Sequence, residues 1–409
     1  MDILIHVLIV FAVIVLAYFA LSALYFLLFS VASLLYRERD RALPGKKQKQ
    51  RLAVLLPAYK EDAVILESAQ AAISHSSVST EMSIYVIADS LQPDTLEKLR
   101  HIGVELVVVS FEKSTKVKSL RQALKQLPDN TDAIVVLDAD NIMHDGFVDE
   151  IIRRLNQGFR VVQGHRTYKN INTPMAVLDS ISEEVNNSIF RMGHRVMGLS
   201  ASLIGSGFGC EYRLFKELID ASVAVGGFDK ELEVMLLERG ITIAYARRAV
   251  VFDEKVQQED VFVNQRRRWL SAQFVYLRKN MGKALYNLFA KGNIDLFDKV
   301  VQFMLPPRVI ALGVSFLFFG GHTVFYVAGA AGWNQFFAAA WSAVFAAACL
   351  SVILAIPRKL YNRNMAKALL ALPGGFFLTI SALIRSRGAN KTFIHTRHGV
   401  SDQDTPVKE

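Results

Sequence analysis

The chain has 409 residues, a net charge of +9 and a hydrophobic fraction of 52%, enough for one large catalytic domain plus membrane segments. A mean hydropathy of +0.27, with the apolar residues gathered in blocks, excludes an ordinary soluble enzyme. No basic run is interleaved with aromatics, so nucleic acid is not an expected partner, and the basic excess belongs at a cytosolic membrane surface.

Residues 3–36 form an almost uncharged run. About 20 residues span a bilayer, so the run predicts one long or tilted helix, with no space for a turn between two spans. It is too long for a signal peptide and lacks a basic leader. Only Asp2 precedes it, whereas Arg37, Arg39, Arg41, Lys46 and Lys47 follow. The N-terminus is therefore expected outside and the polar region in the cytosol. Two cysteines, Cys210 and Cys349, exclude a disulfide framework and have no metal-ligand neighbours.

After the basic linker over 37–50, strands are predicted at 52–56, 84–88, 106–109 and 134–137, alternating with helices at 61–73 and 116–127. Uniformly apolar strands separated by helices predict an α/β domain over 51–270, with a Rossmann-like parallel sheet covered on both faces. Such sheets bind ligands at the carboxyl ends of their strands. Tyr59, Glu61, Asp89, Asp138 and Asp140 all fall at or just beyond such ends.

Residues 271–301 mix apolar and basic side chains and read as interfacial amphipathic helices. Runs at 309–328 and 336–356 are each long enough to span, giving a two-span unit over 302–357. The uncharged linker 329–335 between them suits an external hairpin. A third run, 368–384 within the tail 358–409, contains Pro373-Gly374-Gly375 and has basic flanks on both sides. It is read as an in-plane or re-entrant helix, or else a further span.

Three motifs carry chemistry. In Asp138-Ala139-Asp140, two carboxylates just past a strand end can hold a divalent cation that also binds phosphate oxygens, although a lone acidic loop is usually solvated. Asp229, in Gly226-Gly227-Phe228-Asp229, is a candidate general base for an acceptor hydroxyl, with a helix cap as the alternative. Glu231 and Glu233 read as structural acids. In Gln265-x-x-Arg268-Trp269, Arg can pair with a diphosphate and Trp can face a sugar ring; Arg266 and Arg267 read as membrane anchors. Gly205-Ser206-Gly207 either lets backbone approach a substrate or makes a turn. Lys116 can reach phosphates.

Together these residues resemble glycosyltransferase family 2, in the membrane-embedded branch that contains cellulose, chitin and hyaluronan synthases. The resemblance covers about 51–270 and the flanking membrane layout. Pro57-Ala58-Tyr59-Lys60-Glu61 resembles the opening nucleotide-binding motif, and Asp89 the aspartate that contacts the uracil-ribose part. Lys116 lies in a segment similar to the family's Lys-x-Lys-Ala-Leu helix, with Ser119-Leu120 in place of Ala-Leu. Asp138 and Asp140 match the metal motif, Gly205, Ser206 and Gly207 the loop near the acceptor, and Gln265, Arg268 and Trp269 the motif of processive members.

The resemblance implies a GT-A type fold, Mg²⁺ or Mn²⁺ at Asp138 and Asp140, and a UDP-sugar donor held by Ala58, Tyr59, Glu61, Asp89, Lys116, Asp138, Gln265, Arg268 and Trp269. It implies a saccharide or lipid acceptor at Gly205, Ser206, Gly207 and Trp269, a lipid bilayer, and a bacterial inner membrane. Asp229 then deprotonates the acceptor for a single inverting displacement. The implied product is a polysaccharide made processively; single addition to a lipid is the alternative, and a nucleotide receptor without turnover a more distant one. Two downstream spans make a thin conduit, so a pore would need the N-terminal span, the third apolar run, a second protomer or an accessory subunit. One departure stands out. Phe228 occupies the first position of the family's acidic pair, an apolar neighbour expected to raise the pKa of Asp229.

Overall fold

The computed structural model describes residues 2–38, 50–78, 80–329 and 333–388. Most of the basic linker, positions 330–332 of the expected hairpin and the tail after 388 lie outside the described residues. The chain begins with α1 (Asp2–Ser33), followed by β1 (Gln50–Tyr59), α2 (Ile65–Ser74), β2 (Thr80–Asp89), α3 (Pro93–Ile102), β3 (Glu105–Val109), α4 (Lys116–Leu124) and β4 (Ala133–Val136). Then come β5 (Ile142–Met143), α5 (Phe147–Asn156), β6 (Val161–Tyr168) and α6 (Pro174–Asn186), which runs through a π-helical segment (Asn187–Gly193) into the short α7 (His194–Val196). The domain continues with β7 (Phe208–Glu211), α8 (Tyr212–Ala221), α9 (Phe228–Glu238) and β8 (Ile243–Asp253).

The eight strands form one sheet in the order β3-β2-β1-β4-β7-β6-β8-β5. β1, β2, β3 and β4 pair in parallel, as do β6 and β8, while β7 and β5 run antiparallel to their neighbours. The sheet is thus mostly rather than wholly parallel. Alternate residues of β1 enter opposite cores: Ala53 and Leu55 pack with Leu120 and Phe215 on one face, Val54 and Leu56 with Ile65 and Ile151 on the other. That two-sided burial is why the strand reads as an unbroken apolar run. The helix expected from 61 starts at Ile65 instead, because Lys60 turns the chain through a left-handed conformation (φ 56°).

After the domain, α10 (Glu259–Lys291) is one continuous helix that carries both the Gln265–Trp269 motif and the first of the segments expected to be interfacial. α11 (Ile294–Met304) buries Leu296, Val300 and Phe303 against α9 and α10. α12 (Arg308–Val327) and α13 (Trp333–Ala355) follow, then α14 (Arg363–Leu369) and α15 (Leu372–Ile384). Among the described residues, three helical stretches are long and apolar enough to cross a membrane: Ile3–Ser33, Arg308–Val327 and Gln335–Ala355. α14 and α15 form a pair bent by 53° that meets the same criterion only together; Pro373 sits in the first turn of α15, where its missing N–H costs nothing.

α1 has 32 residues and is therefore about 48 Å long against a hydrocarbon core of about 30 Å. Its amino-terminal half is mostly exposed, whereas Phe26, Phe29, Ser30 and Ala32 are buried. The surplus length is buried against the domain: Phe29 stacks on His194 at 3.8 Å, and Tyr25 donates a hydrogen bond to Asp298 at 2.8 Å.

Candidate active site

The site is built from turns after β1 and β2, the loop after β4, the start of α9 and the first half of α10. Lys60 and Ser90 are the non-glycine residues with positive φ among those described, and each directly follows a strand. Such backbone costs on the order of 1 kcal/mol and persists only where the surroundings enforce it. Here the Lys60 N–H donates to the Asp89 carbonyl at 3.1 Å, locking the two turns together. Asp89 is buried; its Oδ1 accepts from Ser90 Oγ at 3.0 Å, while Oδ2 has no hydrogen-bond partner. A buried acceptor oxygen without a donor fits an N–H or O–H brought by a ligand.

Past β4, Asp138 and Asp140 have different surroundings. The backbone N–H of Asp138 donates to Ser206 Oγ at 2.9 Å and to Asn141 Oδ1 at 3.1 Å, leaving its half-buried carboxylate to Lys116 Nζ at 2.5 Å. Asp140 is buried, and its carboxylate accepts the Glu254 N–H at 2.8 Å and an Asn141 amide hydrogen at 3.3 Å. Ser206, hydrogen-bonded to Asn141 and completely buried, fastens this loop. Of the three residues expected near the acceptor, Gly205 lines the cavity, whereas Ser206 and Gly207 lie behind it. Gly205 has φ 75°, and a Cβ there would lie 3.2 Å from Asp229 Cβ. Gly205→Ala is accordingly expected to push Asp229 aside and lower the turnover rate more than donor affinity, which steady-state kinetics would resolve.

Asp229 sits in the first turn of α9, after Gly227 in a left-handed conformation. The acidity expected from the sequence is reversed. Burial pushes the Asp229 carboxyl up, but Lys230, 3.4 Å away, together with Lys299 and the Lys230 N–H outweighs it and holds the carboxyl below its ordinary range. Phe228 packs into the core, and the Lys116 ammonium lies 5.5 Å over its ring while donating to the Gly205 carbonyl at 2.8 Å. Lys116 thus touches Asp138, the glycine loop and the α9 start together. Glu231 and Glu233 are structural: Glu231 accepts from Ser222 and from the N–H groups of Val223 and Ala224, and Glu233 pairs with Lys299 at 2.8 Å.

On α10, Gln265, Arg268 and Trp269 face the same cavity. The Oε1 of Gln265 is buried without a partner. Burial lowers the Arg268 pKa, and Asp138, Asp229 and Glu61 act against it, which puts that guanidinium among the carboxylates. Arg266 is no membrane anchor. It is sandwiched between Phe262 (4.8 Å) and Trp269 (4.6 Å) and paired with Asp179 at 2.8 Å.

A cavity of about 680 Å³ gathers Ala58, Tyr59, Glu61, Asp89, Lys116, Asp138, Asp140, Gly205, Asp229, Gln265, Arg268 and Trp269. It also takes in residues that sequence reasoning missed. Arg166 approaches Asp138 (3.9 Å), Asp253 (3.6 Å) and Glu183 (2.9 Å), and Lys255 pairs with Asp253 at 2.7 Å. Arg166 lies in the polar second half of β6 and Lys255 just past the end of β8. Among the described residues no three His, Cys, Asp or Glu side chains come together as a metal cage. Two hard oxygen donors in one cavity fit a divalent ion whose other ligands are phosphate oxygens and water.

Comparison with known proteins bears on the fold and the family. The mannosyltransferase PcManGT from Pyrobaculum calidifontis, solved in complex with GDP-Man and Mn2+, matches with a TM-score of 0.55 at 14% identity, over 92% of this chain and 97% of that one. Glucosyl-3-phosphoglycerate synthase from Mycobacterium tuberculosis, solved with Mn2+, UDP and glucosyl-3-phosphoglycerate, matches with a TM-score of 0.42 at 17% identity, over 59% of this chain and 86% of that one. Curated proteins give no match. The family model described as "Glycosyltransferase like family 2" matches residues 50–272, more than half of the chain, and the chain with its GT-A-like α/β sheet belongs to that family.

Proposed function

We propose that the protein is an inverting hexosyltransferase that moves sugar from a nucleoside diphosphate, most simply a UDP-sugar, to an acceptor entering from the membrane side, and that it repeats the transfer to build a polysaccharide. The observation that carries the reading is the single cavity in which Asp89, Asp138, Asp140, Asp229, Gln265, Arg268 and Trp269 meet and which continues between α12, α13 and α15. Asp89 and the strand-end turns bind the nucleoside, while Lys116 and Arg268 offset the diphosphate charge. Asp138 and Asp140 would hold Mg²⁺ or Mn²⁺, which when bound neutralises charge on the leaving diphosphate. Asp229 takes the acceptor proton, Trp269 offers its face to the acceptor sugar, and the acceptor oxygen attacks the anomeric carbon as the nucleoside diphosphate leaves, a single displacement that inverts configuration.

A base must be deprotonated to work, and the flanking lysines keep Asp229 so at lower pH than usual. The rate is therefore expected to stay flat as pH falls from 7 to about 5, the range in which an ordinary carboxylate is already ionised. An acidic limb starting near pH 6 in kcat/KM would remove Asp229 from the role.

The deciding experiment measures nucleotide release and radiolabel incorporation by the purified protein in lipid. Donors are UDP-glucose, UDP-N-acetylglucosamine, UDP-glucuronate and UDP-galactose, with GDP-mannose added because PcManGT was solved with GDP-Man. Asp138→Ala serves as the inactive control. Long polymer from one donor supports processive synthesis. Label confined to a single sugar on lipid supports the second reading, favoured by the small number of spanning helices and the apolar cavity wall. No turnover with any donor counts against both.

A further inference from the structure

Four arginines from four separate elements converge on one face of α6. Asp179, Ser182, Glu183 and Asn186 recur at helical spacing and form that face. Arg266 of α10 pairs with Asp179 at 2.8 Å. Arg166 of β6 and Arg191 of the π-helical segment share Glu183 at 2.9 and 3.2 Å. Arg308, the first residue of α12, reaches only neutral partners: Asn186 Oδ1 at 2.8 Å and the Ser182 carbonyl at 3.0 Å. Arg166 also leaves Nε buried without a hydrogen-bond partner.

Arg166 also lies near Asp253 and Asp138, but these already pair with Lys255 and Lys116, so six cations here face four carboxylates, Asp138, Asp179, Glu183 and Asp253 (6 − 4 = 2). Two positive charges remain uncompensated in a partly desolvated wall, an arrangement that costs free energy until an anion arrives. All four arginines line the same cavity as Asp229. Beyond Arg308 that cavity changes character, and its walls become Leu312 of α12, Val352 of α13 and Ile356 just past its end, Leu369 of α14, and Leu372 of α15. A cationic collar that continues into an apolar groove at the foot of a membrane helix complements one kind of molecule.

We infer that the Arg166, Arg191, Arg266 and Arg308 face of the cavity binds the phosphate headgroup of a lipid whose tail lies in the groove between α12, α13 and α15. The site rests on the reading of the cavity as a transferase active site only for its purpose; the binding itself is separable from turnover. Bidentate guanidinium–phosphate geometry suits arginine better than lysine, and the phosphate would supply the donors' missing negative charge.

The test uses the full-length protein in detergent with phosphatidic acid and diacylglycerol, which share tails and differ by the phosphate, and reads retained lipid by native mass spectrometry. Inorganic phosphate is the competitor, and UDP binding is measured in parallel. Phosphatidic acid is expected to be retained at least about tenfold over diacylglycerol, a difference set by the phosphate alone. Arg308→Gln is expected to abolish that preference, and Arg308→Lys to keep part of it. Equal retention of the two lipids, an Arg308→Gln protein that still prefers phosphatidic acid, or displacement of the lipid by millimolar inorganic phosphate would each overturn the inference. Failure here with UDP binding intact leaves the transferase reading standing. Lipid selectivity in a protein that binds no nucleotide would strike the transferase reading instead.

Discussion

Asp229→Asn is expected to lower kcat for sugar transfer by about 10²–10⁴-fold, the usual contribution of a positioned base, while donor affinity stays within about twofold of wild type. The substitution keeps the shape of the side chain at the head of α9 and removes only its ability to take a proton. It also removes the negative charge facing Lys230 and Lys299, so a small gain in affinity for anionic donor is consistent with the role. Rate and affinity must separate: a variant that loses donor binding in proportion to its rate would make Asp229 a binding residue. A variant that keeps full turnover would end its candidacy altogether. Radiolabel incorporation under saturating donor, with UDP affinity measured separately, distinguishes the three.

The second large effect is on stability. Glu183 lies at 2.9 Å from Arg166 and 3.2 Å from Arg191, and all three side chains are nearly inaccessible. Burial pushes the Glu183 carboxyl up, but the two arginines outweigh it and hold it far below the ordinary range. Removing one member of such a set leaves unpaired buried charge, which typically costs about 3–5 kcal/mol. Glu183→Ala is therefore expected to melt well below wild type, and adding Arg191→Met should recover part of the loss. Unchanged melting would mean that water already reaches this face. The sign of the pH dependence follows from the lowered carboxyl: its contribution is complete above about pH 4.5 and fades as pH falls through the acid range, where the unfolded chain binds the proton first.

The half of the cavity proposed for catalysis could be picked out in the sequence because each of its residues carries its own local mark. Asp89 and Asp138 follow apolar strands directly, Asp229 follows a double glycine, and Gln265, Arg268 and Trp269 share one helical turn and the next. The membrane-side half could not. Arg166, Arg191, Arg266 and Arg308 are separated by up to 142 residues of chain (308 − 166), and no local pattern marks them as members of one cluster; Arg266 reads by itself as a membrane anchor. Only the path of α6 brings them together. Two placements were also not foreseen. Lys230, the larger acidifying influence on Asp229, is its sequence neighbour and was outweighed by Phe228 in the expectation, while Lys299, which adds to it, lies on α11 beyond any local window. Ser206 reads like an exposed glycine-loop serine, yet the antiparallel β7 that follows pulls it inside, where Asn141 claims its hydroxyl. A sequence of apolar runs specifies strands well but does not reveal that one of them enters the sheet reversed.

Gly193 gives α1 a meaning beyond that of a tether. A Cβ at that position would lie 2.2 Å from the Phe29 carbonyl oxygen, so the π-helical segment and the first helix touch backbone to backbone. Around this seam, Ser30 donates to the Ser351 carbonyl at 2.8 Å and Tyr36 to the Tyr245 carbonyl at 2.8 Å. The first helix is thus a keystone shared by the sheet domain and α13, and it cannot be exchanged for an arbitrary hydrophobic segment of equal length. A graft that keeps the hydropathy of residues 2–33 but not Tyr25, Phe29 and Ser30 would still insert in a bilayer. It would leave His194 and Asp298 facing an ill-fitting wall, and the enzyme beneath it would be loosened at the edge of its own active cavity.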